Sequence, residues 1–357
     1  MLPGSYQQLV PTWHIEINGR ELPFEIDRQI VSLTIQEELF APAMLDLRLH
    51  NFQRDTASPP LIDDHLFDVG QSLQIRLGYE HDSVVLETLF FGEITGLEAE
   101  YAAQTAPLFI VRGYDYLHRL TRGQRTRSFV QMKDSDIAAQ LARENGLQAE
   151  ISDSEVILAY VMQQNQTDLA FLQERAARIG YEVAVRERSL LFRPYRNAES
   201  PAKSLQLEGL RDLRFVVSAL GPVEQIEIRG WDPQNKQEIV AHADAGSLSS
   251  RMGGTQSGAE VGRAFGERST AVIVDTPMFN QAEAEQIARG QFNTMALEYV
   301  TVEGQVYGQA DLHSGMVIEI PAHSRRFQGL YYLTETSHSV DTNRGYFTSF
   351  VGRRNAT

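Results

Sequence analysis

The 357-residue chain has no cysteine, which removes disulfides, thiolate metal sites and cysteine nucleophiles together. Packing or assembly must therefore stabilise it. No apolar run approaches the roughly 20 residues that cross a bilayer, and the opening MLPGSYQQLVPTWH has neither the basic start nor the apolar stretch of a secretory signal. Synthesis and folding in a cytoplasm are expected. Positive charge is scarce: 32 Lys and Arg against 47 Asp and Glu leave a formal net charge of −15. General nucleic-acid binding rests on cations displacing counterions from phosphates, so that balance argues against it.

Catalytic motifs are missing too. There is no G-x-S-x-G elbow, no G-x-x-x-x-G-K-[ST] phosphate loop, no H-E-x-x-H and no G-x-G-x-x-G after a strand. The nine histidines are scattered, with no pair three to five residues apart as a local metal site favours. Asp63, Asp64 and Asp68 read as a solvated acidic loop rather than a cation site. Neither metal nor cofactor is expected.

What is present is mostly period two, the mark of half-buried strands: Trp13, Ile15, Ile17; Val31, Leu33, Ile35; Leu45, Leu47, Leu49; Leu73, Ile75, Leu77, Tyr79. Asn18-Gly19 marks a hairpin, since both central residues of the tight turn need positive φ. Arg54 to Asp68 is too long and Pro-rich for a hairpin and reads as an excursion. Between Ser128 and Asn197 the period changes. A helix whose first turn Asp134 or Ser135 can cap has Asp136 near its start and ends at Asn145-Gly146; a second opens on Thr167, carries Leu169, Leu172, Ala176 and Ile179 on one stripe, and stops at Gly180. A hairpin, Tyr181 to Arg186 and Leu190 to Tyr195, completes a small α+β unit.

Strands return from Ser204. The run AGSLSSRMGGTQSG within Ala241 to Ser269 offers no core of its own and is expected as a mobile insertion. Asn280 with Glu283 forms a capping box for a helix to about Phe292, and strands resume from Tyr299. There is also an internal echo. Gly70 to Ile75 matches Gly315 to Ile320, each followed by Phe-x-Gly (Phe90 to Gly92, Phe327 to Gly329), by a strand through Thr (Thr95, Thr334), and by a strand closing on Gly-Tyr or Gly-Arg.

The run from Arg112 to Leu147 joins the strand-rich and helical parts. Within it Gly113-Tyr114-Asp115, His118-Arg119-Leu120, Arg125-Thr126-Arg127 and Asp134-Ser135-Asp136-Ile137 resemble the hallmark run of the phage late control D family. These are baseplate hub proteins of contractile-tailed phages, similar to the amino-terminal half of type VI secretion spike proteins and to hubs of extracellular contractile injection systems. Gln166-Thr167-Asp168-Leu169 through Ile179-Gly180-Tyr181, and the run from Gly315 to Arg353, resemble the same family. Tyr114, Asp115, His118, Arg119, Arg125, Arg127, Asp134, Asp136 and Asp168 are the signature and interface candidates. Read from the residues alone, the Arg cluster from 119 to 127 supplies partners for carboxylates at a domain or subunit interface.

The resemblance implies a mainly β fold with α+β parts: two similar antiparallel β-barrel domains, a small α+β domain and an inserted segment. Its boundaries are 1–118 for the first, tube-type barrel, 119–200 for the α+β domain, 201–232 with 298–357 for the second barrel, and 233–297 for an inserted flexible loop and helix region. It implies a non-enzymatic homotrimer, a symmetry adaptor between a hexameric inner tube or tube-initiator protein and a trimeric spike, flanked by baseplate wedge proteins, in a virion tail baseplate or injection particle made in bacterial cytoplasm. With six residues after the last strand, the spike is expected in trans. The competing readings are a tail-associated cell-wall hydrolase, which needs a deep cleft with one carboxyl of raised pKa, and a free-standing β-rich binding module.

Overall fold

The alternation that marks the first strands puts Ile15, Ile17, Leu33, Ile35, Leu45, Leu47, Leu49, Leu73, Ile75 and Leu77 on inward faces, and every one is buried. A computed structural model describes residues 10–51, 61–63, 65–79, 85–104, 106–206, 209–232, 235–266, 269–275, 277–322, 324–342 and 344–357.

The first lobe runs β1 (Pro11–Ile17), β2 (Arg20–Glu21), a single turn α1 (Phe24–Asp27), β3 (Ile30–Glu38), β4 (Met44–His50), β5 (Ser72–Tyr79), β6 (Val85–Glu100) and β7 (Leu108–Asp115). Asn18 and Gly19 take φ of 51° and 71°, as the β1–β2 hairpin requires. Of the excursion from Arg54 to Asp68, the part to Pro60 and Asp64 lie outside the described residues. Its end carries Phe67 into the first core, edge-on to Phe109 at 5.2 Å.

The α+β unit follows as β8 (Arg125–Met132), α2 (Asp134–Glu144), β9 (Gln148–Ile151), β10 (Leu158–Gln166), α3 (Asp168–Ile179), β11 (Tyr181–Arg186) and β12 (Ser189–Pro194). Thr167 Oγ1 accepts from Ala170 N–H at 3.1 Å and caps α3, which ends on Gly180 at φ 69°. At α2 the expected cap is displaced. Asp134 is the first helical residue, drawn into an ion pair, and Asp136 reaches back to accept from Lys133 N–H at 3.2 Å.

The remainder comprises β13 (Lys203–Ser204), β14 (Leu210–Val217), β15 (Gln225–Asp232), β16 (Gln237–Asp244), α4 (Gly258–Gly262), β17 (Thr270–Ile273), α5 (Gln281–Ala296), β18 (Val300–Tyr307), β19 (Val317–Ile320), β20 (Gly329–Asp341) and β21 (Gly345–Arg354). The echo in the sequence is an echo in topology. The first lobe orders its strands β3-β4-β7-β6-β5-β1 and the second β14-β18-β21-β20-β19-β13, each around its own apolar core. Irregularities coincide as well. The β6–β7 ladder slips between Ile94 and Gly96 and the β20–β21 ladder between Leu333 and Glu335. The bulged residues are Thr95 and Thr334, whose hydroxyls donate to Arg112 O and Val351 O, each at 3.4 Å. The outermost strands differ: β1 is antiparallel to β5, whereas β13 is parallel to β19. The lobes are not separate. β3 pairs with β20 along seven residues, so one 13-stranded sheet contains both.

Two expectations are corrected. β15 belongs to neither lobe but to a three-stranded sheet with β16 and β17. The expected mobile insertion is a packed layer: Ile226, Ile228, Ile239, Ala241 and Ala243 meet Ala284, Ile287, Ala288 and Phe292 of α5 in one core with the α+β unit. The Gly- and Ser-rich run is held by the end of the chain. Thr255 and Gln256 N–H donate to Thr357 O, Thr357 N–H donates to Gln256 O, and Asn355 Nδ2 donates to Ser250 O at 2.6 Å. Composition hid this because small residues supply little apolar signal, and the partner strand lies a hundred residues away.

The docking of α5 on α3 leaves no space for a methyl group. A Cβ on Gly290 would lie 2.3 Å from the backbone carbon of Ile179. Gly290→Ala is therefore expected to destabilise the protein by about 2 kcal/mol through overpacking, measured by urea unfolding, and to speed proteolysis between residues 245 and 258.

Candidate functional site

The chemistry-bearing side chains gather where the two lobes meet each other and the α+β unit. Glu37, at the end of β3, accepts from His313 Nδ1 at 2.8 Å, from Ser314 N–H at 3.0 Å and from Thr336 Oγ1 at 3.2 Å. Those three partners belong to the second lobe. Burial alone would raise the Glu37 carboxyl, but His313, by charge and hydrogen bond, and the Ser314 N–H hold it below its ordinary 4.5. Burial disfavours charge on His313, yet Glu37 outweighs it and lifts the imidazole above 6.5. Beside them His338 is almost wholly buried. Its Nε2 donates to Leu312 O at 2.8 Å, leaving Nδ1 to accept from the Tyr346 hydroxyl at 2.8 Å, and burial depresses its pKa to about 4. It stays neutral.

A cavity of about 490 Å³ opens beside this seam, bounded by Glu37, Asp115, Phe90, Glu182, Arg186 and His313 among others. Burial raises Asp115 to about 7, against the pull of the Ala43 and Leu117 N–H groups. Fully buried Glu182 accepts from Arg193 Nε at 2.7 Å and from the Tyr332 hydroxyl, tying the α+β hairpin to the second lobe.

The signature residues do not converge on one point; they form three ion clusters at element junctions. Arg119 grips Glu93 through two nitrogens and lies 4.7 Å from the Tyr116 ring, while His118 Nε2 stands 3.4 Å from Glu93 and its Nδ1 donates to Asp115 O at 2.7 Å. Asp115 itself caps the 3-10 turn, accepting from Leu117 N–H at 2.9 Å. In the second cluster Arg127 donates to Asp168 at 2.8 Å, Glu144 at 2.6 Å and Gln163 at 2.8 Å, and Arg125 reaches Glu144 at 3.2 Å. The third is Asp134 with Arg175, paired at 2.6 and 3.1 Å and buried. Asp136 acts only on its own helix. Tyr114 is half-buried in β7, opposite Met44 and Glu93. Neither the Glu37–His313 seam nor Glu182 was singled out from the sequence; the echo between Gly70 and Gly315 pointed to this turn without naming its neighbours.

Among the described residues no group of three or more His, Asp or Glu could hold a metal ion, and no helix is long and apolar enough to cross a membrane. Asp68 of the acidic loop faces His65 at 3.2 Å. Chemically, the seam is a proton-sensitive joint. Below its unfolded pKa of 6.5 His313 is charged in both states and its pairing with Glu37 contributes fully; that contribution is lost as pH rises through the raised folded value. Asp115 acts in the same direction, since folding favours its protonated form up to about 7 against 3.8 unfolded. Glu37 works at the other end, where stability is lost as pH falls through its depressed pKa. His338, kept neutral down to about 4 against 6.5 unfolded, opposes Asp115 at lower pH. The melting temperature should therefore fall as pH rises above about 6.5, through about 7 for Asp115 and through the raised pKa of His313. Thermal melts of His313→Gln and Asp115→Asn should each show a flatter pH dependence there.

The fold has solved counterparts. The 43 kDa tail protein of prophage MuSo2 from Shewanella oneidensis superposes with a TM-score of 0.69 at 13% identity, over 96% of this chain and 98% of that one. A tail protein from Neisseria meningitidis MC58 gives 0.67 at 12% identity, over 97% and 96%. An Escherichia coli component of the type VI secretion system, described as structurally similar to the T4 bacteriophage tail proteins gp27 and gp5, gives 0.60 at 15% identity, over 96% and 77%. At such identities the likeness establishes the fold. No curated protein matches the sequence. Matched over residues 7–342, the chain belongs to the family described as the Alg8 N-terminal domain.

Proposed function

We propose that this chain is a structural baseplate hub of a contractile tail or injection system. It acts as a homotrimer that adapts a hexameric inner tube to a trimeric spike. The observation that carries this reading is the repeat: one chain holds two lobes with the same strand order and the same bulges. Three copies then present six comparable lobes, which is how a three-fold object meets a six-fold tube. The α+β unit and the β15–β17 layer differ from the lobes and, in this reading, would face the spike or the wedge proteins. The likeness in fold to tail proteins and to a type VI secretion component supports the same reading.

The role is non-enzymatic. A carboxyl of raised pKa in a cavity is what a hydrolase would need, and Asp115 supplies one. Its neighbour Glu37, however, accepts from three protein donors, and Asp115 caps a turn. Both are committed to holding elements together.

Native mass spectrometry at micromolar concentration should find a trimer, and a reconstruction of the particle should place three copies between tube and spike. A chain that stays monomeric in the presence of both partners would refute the assignment.

A further inference from the structure

Because the lobes correspond residue by residue, the joint between them defines a second joint that one chain cannot make. Ile35 of β3 faces Leu45 of β4 as Phe215 of β14 faces Val302 of β18, and both ladders slip at the same step, Ile30 to Ser32 and Leu210 to Asp212. Thus β14 occupies in the second lobe the place of β3 in the first. By the same comparison β6 occupies the place of β20: Ile94 faces Gly113 as Leu333 faces Gly352. Within the chain, β3 pairs with β20. The corresponding partners, β14 and the end of β6, remain apart. Among the described residues β14 pairs only with β18, and β6 beyond its bulge at Thr95 pairs only with β7. Each therefore presents an open row of backbone donors and acceptors, a template for another strand.

We propose that β14 of one copy pairs antiparallel with the end of β6 of a second copy, in the register of the internal joint. Thr34 faces Ser339 and Ile35 faces His338 inside the chain; carried across, Arg214 faces Glu100 and Phe215 faces Ala99. Gln36 opposite Ser337 likewise becomes Val216 opposite Glu98.

The side chains fit that partner. At the internal joint the inward positions of β20 are Thr336, His338 and Val340, all buried. Their counterparts on β6 are Leu97, Ala99 and Tyr101, and Tyr101 is 69% exposed. On β14 the inward-facing set is Leu213, Phe215 and Val217, half-buried in the single chain. The internal joint thus carries polar Glu37, Thr336 and His338 where the external one carries Val217, Leu97 and Ala99, the composition expected of a surface that a second copy covers. The outward face matches by charge. Arg214, already 3.4 Å from Glu303 on its own sheet, gains Glu100 directly across, where the internal joint has only Thr34 and Ser339.

The inference rests on the trimeric hub reading and is separable from it by experiment. The chain has no cysteine, so an Arg214→Cys copy mixed with a Glu100→Cys copy can form a disulfide only between chains. Directly opposed strand residues lie within disulfide reach. The expected result is a covalent two-chain species in the mixture, absent from either variant alone and about tenfold weaker when Phe215→Cys replaces Arg214→Cys, because its side chain leaves on the opposite face. Arg214→Glu should weaken self-association about tenfold, and adding Glu100→Arg to the same chain should regain it, because every contact between copies then pairs opposite charges again. A trimer in native mass spectra without the Arg214–Glu100 link overturns the strand pairing and leaves the hub reading standing. Monomers alone, with no link, overturn both.

Discussion

Where β3 meets β20, strands from opposite ends of the chain are held edge to edge, and Thr336 reaches Glu37 across 299 positions of sequence. Bringing such distant segments together costs closure entropy that local contacts do not repay. Both lobes must be substantially formed before the pairing is worth making. Once made, it fuses two cores into one sheet and fixes how the lobes face each other. The positions of the α+β hairpin, of the cavity and of the open edges on β14 and β6 all follow from it.

The seam is polar where a simple sheet junction would be apolar. Burying Glu37 and His313 costs solvation that their attraction and hydrogen bonds roughly offset, so their main effect is specificity. A slip of one residue between β3 and β20 would turn Glu37 to the other face and strand its carboxylate away from His313, Ser314 and Thr336. Polar pairing of this sort permits one register and penalises the rest.

The signature residues serve the same end inside the α+β unit. Arg119 with Glu93 fastens the 3-10 turn to β6, Arg127 with Asp168 and Glu144 joins β8 to both helices, and Arg175 with Asp134 locks the helices together. Four of the signature residues, Arg119, Arg127, Asp134 and Asp168, are accounted for by rigidity rather than by chemistry on a ligand. The carboxyl end does the corresponding task for the layer built on β15 to β17, binding the run from Ser250 to Gly258 as if it were one more strand edge.

How much of this could be read from the sequence follows from the range of the forces involved. Period-two alternation determined the inward faces of β1, β3, β4 and β5, and capping and stop residues determined α3 and the end of α2, because a strand's pleat and a helix's orphan N–H groups are satisfied by neighbours in sequence. Even the repeat was legible, since Thr95 and Thr334 mark equivalent bulges. Asp134 was misplaced as a cap because its choice lay between a local N–H and Arg175, a partner visible only in three dimensions. The Gly- and Ser-rich run read as mobile because its order comes from Asn355 and Thr357, not from its own side chains. Only the tertiary structure decided that β15 leaves the lobes for a sheet with β16 and β17, that Glu37 and His313 meet, and that β3 closes on β20. These are pairings between distant segments, where many partners satisfy a strand edge equally well and the choice is made by the packing of the whole chain.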